Sequence, residues 1–150
     1  MGNFSIIRNQ HELNIWKKSQ KAPIHFVPTM GSLHEGHYRL IQSAQKPSCN
    51  RDPVVLLSIF VNPLQFGPKE DFEKYPKNLE IDFINSQKQG ANAVWAPSID
   101  EIFPGNPQDN FKLIVPPNLT KNLCGKNRQG HFDGVITVIA RLLSLVKPEV

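Results

Sequence analysis

A chain of 150 residues with 39% hydrophobic side chains holds enough apolar material for one packed domain, and its composition is neither disordered nor fibrous. Seventeen Lys and Arg against thirteen Asp and Glu leave a formal charge of +4, yet only Lys17 and Lys18 adjoin, so no run of like charge marks a nucleic-acid or membrane-surface partner. Two cysteines, Cys49 and Cys124, are too few for a disulfide framework or a four-cysteine zinc site, and no apolar run approaches the ~20 residues of a membrane span. The expectation is a soluble, cytoplasmic protein whose Lys and Arg are mostly solvated surface; the positive balance alone does not choose between a nucleic-acid partner and a site for phosphorylated or carboxylate ligands.

Leu13, Ile15 and Trp16 recur at roughly helical spacing between Asn9 and Ser19, which predicts a short amphipathic helix. Ile24 to Val27 reads as a buried strand that Pro28 ends, followed by the turn Thr29-Met30-Gly31-Ser32 and a helix from about His34. The unbroken apolar run Val54 to Val61 lacks period-2 alternation, as a parallel strand covered on both faces does. Asn62 to Pro76 is too irregular for an element. Asn78 is placed to cap a helix over Leu79 to about Lys88, and Ala93 to Trp95 makes a third strand. Asn106 to Asn110 is turn-like, Lys112 to Val115 predicts an edge strand, and Leu119 to Leu123 allows one helical turn. A glycine-punctuated loop from Gly125 to Gly134 then leads into a buried helix over Val135 to Val146 that Pro148 stops. Alternating strands and helices imply an α/β Rossmann-like open parallel sheet with helices on both faces, binding ligands beyond the carboxyl ends of its strands. A further strand is expected after the last helix, so the chain reads as an incomplete domain.

The segment Pro28-Thr29-Met30-Gly31-Ser32-Leu33-His34-Glu35-Gly36-His37 sets two imidazoles three residues apart at a helix start, on one face. Unpaired N–H groups and the positive helix end favour an anion there, and imidazole N–H groups bond phosphoryl oxygens. Gly36 leaves room for close approach. An ordinary His-x-x-His would pack one ring and expose the other. A zinc site is disfavoured because H-E-x-x-H needs its histidines four apart and a third ligand, so no metal ligands are assigned. Lys126, Arg128 and His131 in the later loop could meet phosphates, a weaker signal, and a mobile surface loop is the preferred reading there.

PTMGSLHEGH on a strand–turn–helix resembles the HxGH signature of the nucleotidyltransferase superfamily, in the form used by pantothenate synthetases. The stretches Phe60 to Asp82 and Leu123 to Leu143 resemble that family's segments in order and spacing, so the likeness covers nearly the whole chain. The resemblance implies condensation of pantoate with ATP to pantoyl adenylate and pyrophosphate, then displacement of AMP by β-alanine to give pantothenate. It implies that Met30, Gly31, Ser32, Leu33, His34, Glu35, Gly36 and His37 line the ATP site, with His34 and His37 on the phosphates. His37 is the implied acid for pyrophosphate departure, the other reading being a phosphate-positioning donor that transfers no proton. Gln65, Asn62 and Thr29 are the implied substrate contacts, although Asn-Pro is also an ordinary turn start.

ATP is the implied cofactor, with Mg2+ balancing its charge, and a homodimer is the implied assembly of the full-length protein. Ser32, Tyr38, Arg39, Lys77 and Gln129 depart from the family pattern. The family also continues beyond this chain with further ATP- and pantoate-gripping segments and a small C-terminal domain, absent here, which implies weak or no turnover by these 150 residues alone. Two alternatives are another HxGH adenylyltransferase acting on a phosphorylated acceptor, and a non-catalytic nucleotide- or RNA-binding remnant. The loop Phe60 to Phe66, with no Lys or Arg, suits a branched hydroxy acid better than a phosphorylated acceptor.

Overall fold

The structure is a computed structural model and describes residues 4–48, 50–66, 72, 78–120, 128 and 130–150. Four parallel strands, β1 (Ser5–Ile7), β2 (Ile24–Thr29), β3 (Val54–Ile59) and β4 (Ala93–Trp95), form one sheet in the order β1-β4-β3-β2. Registers pair Ile24 with Val54, Leu56 with Ala93, and Ser5 with Ala93. Helices α1 (Gln10–Ser19), α4 (Ile99–Ile102) and α6 (His131–Val146) cover one face, where Leu13, Trp16, Ile102, Val138 and Leu142 pack on Leu56, Phe60 and Trp95. Helices α2 (Glu35–Ala44) and α3 (Leu79–Lys88) lie on the other, where Ile41 and Phe83 meet Val27, Val55, Leu57 and Val94. The expected layering, with β3 apolar on both sides, is therefore observed. No helix among the described residues is long and apolar enough to cross a membrane.

Local chemistry sets several boundaries. Asn9 and Asn78 each accept a backbone N–H from the first turn of the helix they precede, Glu12 N at 2.8 Å and Ile81 N at 3.4 Å. Lys147, at φ 53°, closes α6 in the left-handed region. Pro117 opens α5 (Pro117–Thr120), where the missing N–H costs nothing.

Four expectations change. Pro28 does not end β2. Phe26 N donates outward to Val150 O at 2.7 Å, and Glu149 N donates to Ile24 O at 3.0 Å, so alternate β2 residues face away from β3. Pro28 shares that outward phase, where a ladder donor is not required on the β3 side.

Lys112–Val115 is not a strand. Leu113 N donates to Thr137 Oγ1 at 2.9 Å and Val115 N to Asp133 Oδ1 at 2.7 Å, so side chains one turn apart on α6 replace a neighbouring strand. Helix α6 begins at His131, not Val135, because Gly130 at φ 77° turns the chain into it. Short elements carrying little periodicity were missed: β1, and α4 with its Ser98–Glu101 capping box. The turn at Asn106–Asn110 contains the 3-10 turn Pro107–Asp109. Of the turn expected at Leu119–Leu123, residues 121–123 lie outside the described residues, as do Cys49, Cys124, Lys77, Lys126 and Gln129.

Candidate active site

The carboxyl ends of β2 and β3 open onto a cavity of about 310 Å³ whose lining includes Thr29, Met30, Gly31, His37, Asn62 and Gln65, closed on one side by Val135, Val138, Ile139 and Leu142 of α6. Open parallel sheets bind ligands in this position. Three pieces build it: the β2–α2 turn, the loop after β3, and the first turns of α6.

The β2–α2 turn is held from below. Thr29 is buried and spends its hydroxyl on structure, donating to Ser58 O at 2.7 Å and accepting Gly31 N at 3.2 Å. Gly31 (φ 86°) and Ser32 (φ 52°) are both left-handed. For a residue with a side chain, that region costs about 1–2 kcal/mol. The Asp82 carboxylate of α3 offsets the cost by accepting Ser32 N on Oδ2 at 2.8 Å and Leu33 N on Oδ1 at 2.9 Å.

Beyond the turn, the two histidines cap α2 and each other's backbone. His34 Nδ1 accepts Gly36 N at 3.1 Å, and His37 Nδ1 accepts His34 N at 3.3 Å. The rings lie 4.2 Å apart between centroids. Gly36 permits this, since a Cβ there would come within 3.0 Å of His34 Cε1. Because both Nδ1 atoms accept, the neutral form of each ring carries its proton on Nε2. Burial pushes the His37 pKa below the usual imidazole value, His34 adds to that, and Asp82 opposes both.

After β3, Asn62 is almost completely buried. Its Oδ1 accepts Leu64 N at 3.2 Å, and its Nδ2 donates to Gln65 Oε1 and to Gly134 O, each at 3.1 Å. This side chain starts the 3-10 turn Pro63–Gln65 and ties it to α6. Gly134 allows the two backbones to meet, because a Cβ there would overlap the Leu64 carbonyl. The Gln65 carbonyl accepts from His131 Nδ1 at 2.9 Å and from Arg128 Nη2 at 3.2 Å. Its side-chain Nε2 meets Met30 Sδ, which links this loop to the β2–α2 turn.

The sequence-assigned residues therefore divide. Met30, Gly31, His37, Asn62, Gln65 and Thr29 converge on the cavity, and His34 stands beside His37 at its mouth. Ser32 and Leu33 turn their amides toward α3, and Leu33 packs into the core. Glu35 pairs with Arg39 at 2.9 Å along the exposed side of α2. Arg128 and His131 both hold the Gln65 carbonyl, which ties them to the loop after β3. Lys126 lies outside the described residues.

Asp82 and Gly134 escaped the sequence reading. A lone acid within a helical stretch signals nothing by itself, and Gly134 looked like the end of a loop. Among the described residues no three His, Cys, Asp or Glu side chains converge as a metal cage.

The profile of the pantoate-beta-alanine ligase family matches residues 5–150. A bifunctional pantoate ligase/cytidylate kinase of Prochlorococcus marinus (strain MIT 9313) is 54% identical over 135 residues, covering 90% of this chain and 27% of the relative. The protein of the same description from Synechococcus sp. (strain CC9311) is 50% identical over 127 residues, covering 83% of this chain and 25% of the relative. The pantothenate synthetase structure from Thermus thermophilus superposes with a TM-score of 0.83 at 39% identity, over 97% of this chain and 50% of that one. The pantoate-beta-alanine ligase of Francisella tularensis, solved with beta-gamma ATP and beta-alanine, gives 0.84 at 35%, over 97% of this chain and 54% of that one. The chain belongs to the pantoate-beta-alanine ligase family, and spans about a quarter of these curated relatives and about half of the solved ones.

Proposed function

We propose that this chain carries the nucleotide mouth and acceptor cleft of an ATP-dependent ligase that joins pantoate to β-alanine through a pantoyl adenylate. The observation that carries the reading is the reciprocal histidine cap at the rim of the cleft, because it dedicates both Nδ1 atoms to the backbone and leaves two Nε2–H donors for phosphoryl oxygens.

In the first step a pantoate carboxylate oxygen attacks the α-phosphorus of ATP, and the bond to the bridging oxygen of the departing pyrophosphate breaks. In the second, the neutral amine of β-alanine attacks the acyl carbon, the bond to AMP breaks, and the surplus amine proton passes to solvent. Negative charge is redistributed in both steps, so fixed donors and correct placement do most of the work. In the free chain burial holds the His37 pKa below the usual imidazole value, which favours the neutral ring and supports a positioned donor over an acid that gives up a proton. His34 shares that task.

Gln65 reads the acceptor. Its amide meets a thioether, a weak hydrogen-bond acceptor that a substrate oxygen displaces at little cost. The apolar wall from Val135 to Leu142 suits a branched carbon skeleton, and no Lys or Arg among the described residues lines the cavity to recruit a second phosphate. Asn62 and Thr29 act by positioning, since their polar atoms are committed to the fold. Mg2+ would enter with ATP, balancing the charge of its phosphates. A homodimer is the assembly proposed for the full-length protein, and the cytoplasm its compartment.

Turnover by these 150 residues alone is expected to be weak, because they match only about half of each solved relative. Isothermal titration with ATP and with pantoate, followed by a pantothenate-formation assay, tests the reading. Binding of both ligands supports it. Preference for a nucleoside monophosphate or another phosphorylated acceptor over pantoate defeats it.

A further inference from the structure

We propose that Asp82 is a positioning residue for the nucleotide mouth, acting through the backbone of the Gly31–Leu33 turn to hold the histidine pair in its binding geometry. This rests on the ligase reading above. A carboxylate with only 3% of its residue surface exposed is rarely left in a protein unless something specific satisfies it. Here its partners are the Ser32 and Leu33 amides, about fifty positions earlier and on a different element.

Those two N–H groups flank the peptide that must stay left-handed, so one carboxylate with two oxygens selects that turn over the relaxed alternatives. Gly31 is fitted to the same group, since a Cβ there would stand 3.0 Å from Asp82 Oδ2 and 3.1 Å from Ile59 Cγ2. The turn leads directly into His34, whose backbone N–H is the donor that orients His37. Displacing Ser32 and Leu33 therefore disturbs both rings without touching either. Asp82 also acts on His37 electrostatically, favouring protonation against burial and His34.

The test is Asp82→Asn in the 150-residue chain, read by ATP titration, by exchange of the Ser32 and Leu33 amides, and by NMR titration of His37. An asparagine of the same shape offers one acceptor where two are needed and aims an N–H at a second N–H. ATP affinity is expected to fall about tenfold, as for loss of a charge-assisted bond. Both amides exchange faster, and the His37 midpoint moves further down. Adding Ser32→Gly to that variant is expected to restore much of the affinity, because glycine accepts a positive φ unaided, while leaving the His37 midpoint low.

Unchanged ATP affinity, or unchanged exchange of the Ser32 and Leu33 amides, in Asp82→Asn overturns the proposal. Should the single variant not fold, the double variant carries the exchange readout at Leu33, and unchanged exchange there overturns it too. Failure of the wild-type chain to bind ATP counts against the ligase reading instead, and the amide exchange still decides the role of Asp82.

Discussion

The two halves of the cleft are held by different kinds of bond. At the β2–α2 turn the histidine cap closes within three residues, with Gly31 and Ser32 supplying the bend just before it, and Asp82 and the Thr29–Ser58 bond secure it from farther along the chain. Around Gln65 most anchors come from far along the chain: Arg128, His131 and Gly134 from the region of α6, and Met30 from β2's end. The mouth's own bonds are short-range, so its shape depends on few distant groups, chief among them Asp82. A loop built from distant partners depends on the docking of α6, so damage there appears first as lost stability and then as lost acceptor binding.

The largest effect is expected at Gly134. Gly134→Val drives a side chain into the Leu64 carbonyl, and about 3 kcal/mol of stability should be lost, read by urea unfolding. A normal midpoint would mean that α6 docks less tightly than the contact between Gly134 and Leu64 implies. Asn62→Ala removes a buried amide that serves Leu64, Gln65 and Gly134 at once, and should cost about 2 kcal/mol in the same assay.

His34→Ala sharpens the contrast from the other side. It removes a helix cap worth about 1 kcal/mol, a modest loss. ATP affinity, measured by calorimetry, should nevertheless drop about tenfold with the loss of a phosphate donor.

The smallest effect concerns pH. The fold favours the neutral His37 ring, so the folded pKa lies below the unfolded one near ~6.5. Its contribution to stability is present above that value and is lost as pH falls toward the folded midpoint. An NMR titration should place His37 below the ordinary imidazole range, and saturating ATP should raise it as phosphate charge stabilises the protonated ring. A midpoint at or above that range in the free chain would break this account.

Much of this was legible along the chain because it is short-range. Helix α1, the start of α2 at His34, the Asn78 cap and the strands at Ile24, Val54 and Ala93 all follow from side chains within a turn or two of one another. The pairing of His34 with His37 was equally visible, since spacing on a helix brings their rings together. The supports were hidden. Nothing near Asp82 indicates that it will be buried under Ser32 and Leu33, and nothing near His131 points to the Gln65 carbonyl 66 residues earlier.

Leu113 and Val115 show the same limit. Their composition favours a strand, but Thr137 and Asp133 took the hydrogen bonds a neighbouring strand would have supplied.

What the amino-acid order determined unaided was the layered α/β plan and the identity of the chemical groups at the mouth, because periodicity and capping act between close neighbours. Which of those groups face a ligand, and which are spent holding the others, was decided only when the sheet and its helices packed. A carboxylate or amide has no assigned role until folding removes water and leaves it one set of partners.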